Sequence, residues 1–275
     1  MPKSSSSFEV IAHRGFSARA PENTLAAFEA AIQCRAHRVE FDVQLTRDGI
    51  PVVIHDDSLE RTTNSCGLVR ERMHAEIRRL DAGAWSDPRF QGERVPSLDQ
   101  VLALCRGRIP VNIEVKACQS GAERLQTAPA PGKLGSPIEE QVVEAVRRHE
   151  SADRAILSSF DGLVLERLRG FAPEITRELL HEDPRRAPGP EALKLARELE
   201  CAALSVSRDE LAARPSLVVE AHAEGLGLKV YTVDDPATMR EFLALGVDGI
   251  FTNRPDALLE LAHKEFPRLL ARSGA

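Results

Sequence analysis

The most constraining feature of this chain is a rhythm: strand-length apolar runs alternate with amphipathic helical stretches along most of its length. The runs fall at Glu9–Ala12, Arg38–Val43, Pro51–Ile54, Pro110–Val115, Ala155–Ser158, Ile175–Leu180, Ala202–Val206, Lys229–Val233 and Asp248–Phe251. Helical stretches lie between most of them. One follows Asn23 or Thr24 as its N-cap and puts Leu25, Phe28 and Ile32 on one face. Another runs from Ile138 through Val142, Ala145 and Val146, and the last starts at Pro255 and carries Leu258, Leu259 and Leu261. Alternation of this kind builds βαβ units on a parallel sheet. About eight repeats fit an α/β fold of the closed TIM-type (β/α)8 class, typically roughly 250 residues long, better than an open doubly wound sheet. The chain has 275 residues, and a single domain over 1–275 is the expectation. Neither a Gly-rich dinucleotide fingerprint nor a Walker loop follows the first run, which weakens the nucleotide-binding alternatives.

Two stretches break the rhythm. Between His55 and Pro96 no βα unit is visible, and the segment holds the turn-like Asn64–Gly67 and the only tryptophan, Trp85. It reads as an insertion, at about 57–95, packed over one end of the barrel. The second stretch, Ala117 to Pro137, is rich in Gly, Pro, Ala and Ser. It reads as a loop after the third barrel strand, either a lid or a disordered connection.

Hydrophobic residues at 43% and charged residues at 28% leave ample material for a buried core. The net charge of -6, with no basic run, argues against a nucleic-acid partner. Met1 to Ser7 is short and polar, and no stretch approaches the length of an apolar membrane span, so neither a secretory leader nor a transmembrane helix is expected. Five scattered cysteines (Cys34, Cys66, Cys105, Cys118, Cys201) lack metal-ligand spacing and imply a reduced, cytoplasmic chain.

Polar residues at strand ends carry the chemistry. Period-two alternation in Val39-Glu40-Phe41-Asp42-Val43 puts Glu40 and Asp42 on one face and three apolar residues on the other. The same pattern in Val111 to Lys116 groups Asn112, Glu114 and Lys116. If the apolar faces meet the outer helices, the polar ones point into the barrel near its C-terminal rim, where barrel enzymes keep their active sites. Three carboxylates buried together need a compensating cation. Oxygen-only ligands from Glu40, Asp42 and Glu114 suit one hard divalent ion, Mg²⁺ or Ca²⁺; the alternative is an ion network with arginine or lysine. His13 and His55, each at the end of an apolar run, suit acid–base work. Arg14 and Lys116 would bind phosphate oxygens, or else simply balance the carboxylates. His37, His74, His149, His181, His222 and His263 show no identifiable partners and read as packed or surface residues.

These residues belong to a longer ordered pattern: His13-Arg14-Gly15, Pro21-Glu22-Asn23-Thr24, Glu40-Phe41-Asp42-Val43, Pro51 to Asp56, Arg61-Thr62-Thr63, Asn112 to Lys116, Ser158-Ser159-Phe160, and Gly246 to Pro255. In order and spacing the pattern resembles the glycerophosphodiester phosphodiesterase family, from about Val10 to about Leu261. The resemblance implies a barrel with a small insertion after the second βα region. It implies Glu40, Asp42 and Glu114 as ligands of one divalent cation, His13 and His55 as the acid–base pair, and Arg14 and Lys116 as phosphate contacts. The substrate would be a small glycerophosphodiester, cut to sn-glycerol 3-phosphate and an alcohol.

The family often has Trp-Thr-Val-Asn on the seventh strand. Here it reads Tyr231-Thr232-Val233-Asp234, which keeps an aromatic wall in Tyr231 but alters the glycerol pocket. Ser65 stands where a second glycine is common, and the loop after Lys116 is longer than usual. Two rivals stay open at this point: a barrel phosphodiesterase acting on lysophospholipids, and a non-catalytic phosphodiester-binding module. Also open are the headgroup, the metal, which histidine is the acid, whether a cyclic phosphate forms, and the oligomeric state.

Overall fold

The computed structural model describes residues 8–116, 137–182 and 189–270. The expected loop from Ala117 onward lies, up to residue 136, outside the described residues, as do the N-terminal heptad and Cys118.

The chain runs β1 (Glu9–Ala12), α1 (Leu25–Cys34), β2 (Arg38–Leu45), β3 (Pro51–Val53), α2 (His74–Ile77), α3 (Leu98–Cys105), β4 (Val111–Val115), α4 (Ile138–Arg148), β5 (Ala155–Ser159) and α5 (Gly162–Phe171). It continues through β6 (Thr176–His181), α6 (Gly189–Glu198), β7 (Ala203–Ser207), α7 (Arg208–Ala213), α8 (Leu217–Ala223), β8 (Gly227–Tyr231), α9 (Pro236–Leu245), β9 (Gly249–Thr252), α10 (Pro255–Glu265) and α11 (Pro267–Leu270). The strand order β1-β9-β8-β7-β6-β5-β4-β2 is parallel throughout, and β1 also pairs with β2. That last pairing closes the eight-stranded barrel and removes both sheet edges.

The apolar run at Pro51–Ile54 is not a barrel strand. β3 folds back antiparallel on β2, matching Val43 to Val53 and Leu45 to Pro51. A turn of five residues is too short for the crossover that a parallel neighbour requires. The hairpin returns the chain towards the C-terminal mouth of the barrel, where Ile54 N–H bonds to Asp42 O at 3.0 Å. The segment that follows has its own small core of Val52, Ile54, Leu59, Val69, Ile77, Ala82 and Val95, before α3 resumes the barrel.

The main core lies between the outward faces of the strands and the helices. Val39, Phe41 and Val43 of β2 are fully buried there, and Phe41 meets Phe28 of α1 edge-on at 5.4 Å between ring centroids. Thr24 caps α1 by accepting from Ala27 N–H. The inward face is polar even at its lower level. Lys229 Nζ on β8 reaches across to Glu9 (2.8 Å) and Glu178 (2.6 Å), and Arg38 holds Glu9 from β2. Buried charges survive there because each is paired. Cys34, Cys66, Cys105 and Cys201 are all free thiols. Among the described residues no helix is long and apolar enough to cross a membrane.

Candidate active site

The parallel register of β2 and β4 sets Asp42 beside Glu114 and Glu40 beside Asn112. Strand alternation turns their side chains inward, with the Asp42–Glu114 pair two residues nearer the C-terminal end of the strands than the Glu40–Asn112 pair. Glu40, Asp42 and Glu114 are all buried, each offering a carboxylate oxygen, and these oxygens lie within 4.8 Å of one another. Burial, reinforced by Asp42 and Glu114, raises the Glu40 pKa well above the carboxylate range. Burial and then Asp42 push Glu114 up to about 7. Asp42 goes the other way: burial would raise it, but Lys116 and Arg14 hold it below its ordinary value. Such crowding of anionic oxygens fits a hard divalent cation, which would remove the repulsion that otherwise favours protonation. Among the described residues, Asp42 Oδ1 is buried without a well-directed hydrogen-bond donor, although Lys116 Nζ lies 3.1 Å away.

Two cations border the cluster. Lys116 Nζ also reaches Glu114 at 2.9 Å. Arg14 contacts Glu22 at 2.8 Å and Asp42 at 3.3 Å, and its backbone N–H donates to Glu40 at 3.0 Å. That last bond depends on a left-handed backbone at Arg14, φ 55°. The left-handed region is costly for a residue with a side chain and persists only where the surroundings fix it. Gly15 follows at φ 82°, and a Cβ there would sit 2.7 Å from the backbone carbon of Ala27. The His-Arg-Gly sequence thus seats the first rim loop directly on α1. Asn23, also left-handed at φ 58°, donates its amide to Asp42 at 2.8 Å.

The two histidines have different partners. His13 Nδ1 lies 2.9 Å from Asn253 Oδ1, just past β9, while His55 Nδ1 lies 2.6 Å from Asp56 Oδ1. Burial, and then the Arg14 charge, lower the His13 pKa to about 4. A cavity of about 320 Å³ opens beside His13 and Arg14, walled by Ser17, Ala18, Glu22, Asp234, Asn253 and Arg254.

Tyr231 is not among the residues lining that cavity. It ends β8, donates its hydroxyl to His181 O at 2.5 Å, and stands edge-on to Phe160 and Phe251. Phe160 is 43% exposed, so an aromatic surface does reach solvent at this strand end.

Seven of the eight residues singled out by sequence therefore gather at the mouths of β1, β2 and β4 and on the return from β3. Glu22, Asn23, Asp56 and Arg61 were visible only as pattern, and Asp234 only as a departure from it. Spacing carries no sign that they hold Arg14, Asp42, His55 and Asn253. The other histidines are better partnered than sequence suggested. His37 accepts from Val10 N–H, and His149, His181 and His222 face Asp99, Glu210 and Asp248 at 2.8, 2.8 and 2.7 Å. Each lies far along the chain from its partner, beyond the reach of local pattern.

Residues 13–257 match the family model described as the glycerophosphoryl diester phosphodiesterase family. A glycerophosphodiester phosphodiesterase of Caldanaerobacter subterraneus subsp. tengcongensis is 38% identical over 256 residues, covering 93% of this chain and 98% of the relative. Among solved structures, an Agrobacterium tumefaciens glycerophosphodiester phosphodiesterase matches at 32% identity and TM-score 0.74, covering 92% of this chain and 99% of the other. An Oleispira antarctica phosphodiesterase, solved in complex with the product sn-glycerol-3-phosphate, matches at 30% identity and TM-score 0.81, covering 94% and 98%. With a matching model over most of its length and relatives this similar, the chain belongs to the glycerophosphoryl diester phosphodiesterase family, a family of phosphoric diester hydrolases.

Proposed function

We propose that this protein hydrolyses small glycerophosphodiesters to sn-glycerol 3-phosphate and an alcohol, using a divalent cation held by Glu40, Asp42 and Glu114 and two histidines for proton transfer. The observation that carries the reading is the buried triad of carboxylates, with oxygens within 4.8 Å, at the C-terminal mouth of the barrel. The Oleispira relative, bound to the product this reaction would release, supports the substrate class.

A phosphodiester repels nucleophiles through its negative charge and releases a poor alkoxide. The cation, Mg²⁺ or Ca²⁺, would supply Lewis-acid neutralisation of charge on the phosphoryl oxygens. Arg14 and Lys116, now paired with carboxylates, stand beside the triad where a phosphate anion would draw on their charge. Of His13 and His55, one takes the proton from the attacking oxygen as the new P–O bond forms. The other gives a proton to the departing alcohol as the old P–O bond breaks. Tyr231, at the end of β8 with Phe160 and Phe251 edge-on to it, would add an aromatic wall beyond the cavity that His13 and Arg14 border. The free thiols at Cys34, Cys66, Cys105 and Cys201 support a reducing, cytoplasmic setting.

Release of glycerol 3-phosphate from glycerophosphocholine, assayed with EDTA and then with Mg²⁺ or Ca²⁺ restored, tests the reading. Loss on chelation and recovery with cation are expected. Full turnover by the metal-free protein would remove the cation from the mechanism.

A further inference from the structure

We propose that Asp234 and Asn253 are positioning residues for His13: the carboxylate fixes the amide, and the amide fixes hydrogen on Nδ1, so that His13 works as the base through Nε2. The inference rests on the acid–base role proposed above for the two histidines and divides that work between them.

Donors and acceptors fix each orientation along Asp234, Asn253 and His13. Asp234 Oδ1 accepts from the backbone N–H of Asn253 (2.7 Å) and from the Thr252 hydroxyl (3.0 Å). Asp234 Oδ2 accepts from Asn253 Nδ2 at 2.7 Å. An ionised carboxylate has only acceptors, so the amide must present its NH₂ to Asp234. The opposite orientation would press two acceptor oxygens together at that same 2.7 Å. Asn253 Oδ1 therefore faces the other way, 2.9 Å from His13 Nδ1 and 2.7 Å from the Ser17 hydroxyl. An amide oxygen can only accept, so His13 Nδ1 carries the hydrogen and Nε2 keeps the lone pair.

The partners then separate the roles. Asn253 offers no charge to His13, and the burial and Arg14 that depress its basicity leave the ring neutral near pH 7. Asp42 and Glu22 act against that depression. His55 Nδ1 instead faces the Asp56 carboxylate at 2.6 Å, a counter-charge for an imidazolium. His13 accepts the proton of the attacking oxygen at Nε2, and His55 delivers one to the leaving alkoxide. Asp234 matters because its charge decides which way Asn253 turns.

Isosteric exchange tests this. Asp234→Asn puts an NH₂ where Oδ2 stood, opposite the NH₂ of Asn253, so that one of the two amides must turn. kcat is expected to fall roughly 10²-fold, the lower end of what a positioned acid–base group contributes, with little change in KM. Adding Asn253→Asp gives the mirror arrangement: residue 234 donates to 253, which can again accept from His13. The double variant is expected to restore the single Nδ1–H tautomer, while its new carboxylate raises the basicity of His13 and moves the base limb of the kcat profile to higher pH. Nitrogen NMR of labelled histidine, with the His13 signals identified by their absence in His13→Asn, should show a pyrrole-type Nδ1 and a pyridine-type Nε2. Asp234→Asn should mix the two tautomers. Unchanged His13 shifts in Asp234→Asn, or mixed tautomers that persist in the double variant, would overturn the proposal. Near-normal activity of His13→Asn would instead sink the acid–base reading, while the NMR shifts still report on the relay.

Discussion

Arg61 grips Glu22 through two parallel hydrogen bonds of 2.8 Å, and with the same guanidinium it holds Asp56 at 2.6 and 2.9 Å. Glu22 in turn holds Arg14, and Asp56 holds His55. One side chain from the inserted segment thus orients a cation and a histidine on separate loops. A lysine cannot make two such forks at once. Arg61→Lys is expected to lower kcat about tenfold or more, because loss of positioning acts on the transition state, while its partly exposed ion pairs add little to stability. Steady-state kinetics beside thermal unfolding would check this; a large drop in Tm with unchanged kcat would mean that Arg61 only anchors the insertion.

The histidines give a second test. His13→Ala and His55→Ala should each lower kcat by roughly 10² or more with the fold intact. Circular dichroism and melting curves separate the readings. Unfolding of either variant would mark that histidine as a packing residue, and near-normal kcat in a folded variant would remove it from the chemistry.

Much of this was legible in one dimension because a strand writes its two faces as alternate letters. Val39-Glu40-Phe41-Asp42-Val43 separates core from site unaided, and Asn112 to Lys116 repeats the pattern on the neighbouring strand. Two such neighbours in a parallel barrel must bring their carboxylates together. Alternation does not say where a strand goes, however. The Pro51–Val53 run looks like the others and is a hairpin return. The Asp234–Asn253–His13 chain spans 240 positions and depends on barrel closure. Lys229 and Glu178, which pair across the barrel floor, carried no local sign of one another.

Gly15 offers a prediction about the scaffold itself. Its positive φ is strained for any L side chain, and a Cβ would meet the Ala27 backbone, which has nowhere to go within α1. Gly15→Ala should destabilise the fold by about 2 kcal/mol or more, beyond the ordinary cost of a surface substitution. Activity should fall as well, since the Arg14 N–H bond to Glu40 depends on the same turn. Denaturant unfolding would measure the first effect; a loss under about 0.5 kcal/mol, the range of neutral surface changes, would show that the loop lifts off α1 easily.

The carboxylate triad makes its own prediction about stability against pH. Glu114, pushed up to about 7 from an ordinary 4.5, holds a proton in the metal-free folded chain that the unfolded chain has already lost. The folded state then binds more protons across that window, so its stability falls as pH rises. The contribution is complete below about pH 4.5, the ordinary value, and is lost as pH passes the folded value near 7. His13 works in the opposite sense: held down to about 4, it favours the folded state increasingly as pH rises from 4 to 6.5. Total Tm alone would blend the two. Comparison with Glu114→Gln isolates the first, because the amide neither titrates nor repels Asp42. In EDTA, the stability advantage of wild type over Glu114→Gln should therefore shrink or reverse between pH 5 and 8. Excess Mg²⁺ or Ca²⁺ should stabilise wild type most at the high end, where the cation competes with no protons, and should stabilise Glu114→Gln much less. Thermal unfolding of both proteins at four pH values, with and without cation, would decide it. A difference that stays flat with pH, and a cation effect equal in both proteins, would mean that Glu114 is neither strained by its neighbours nor a ligand.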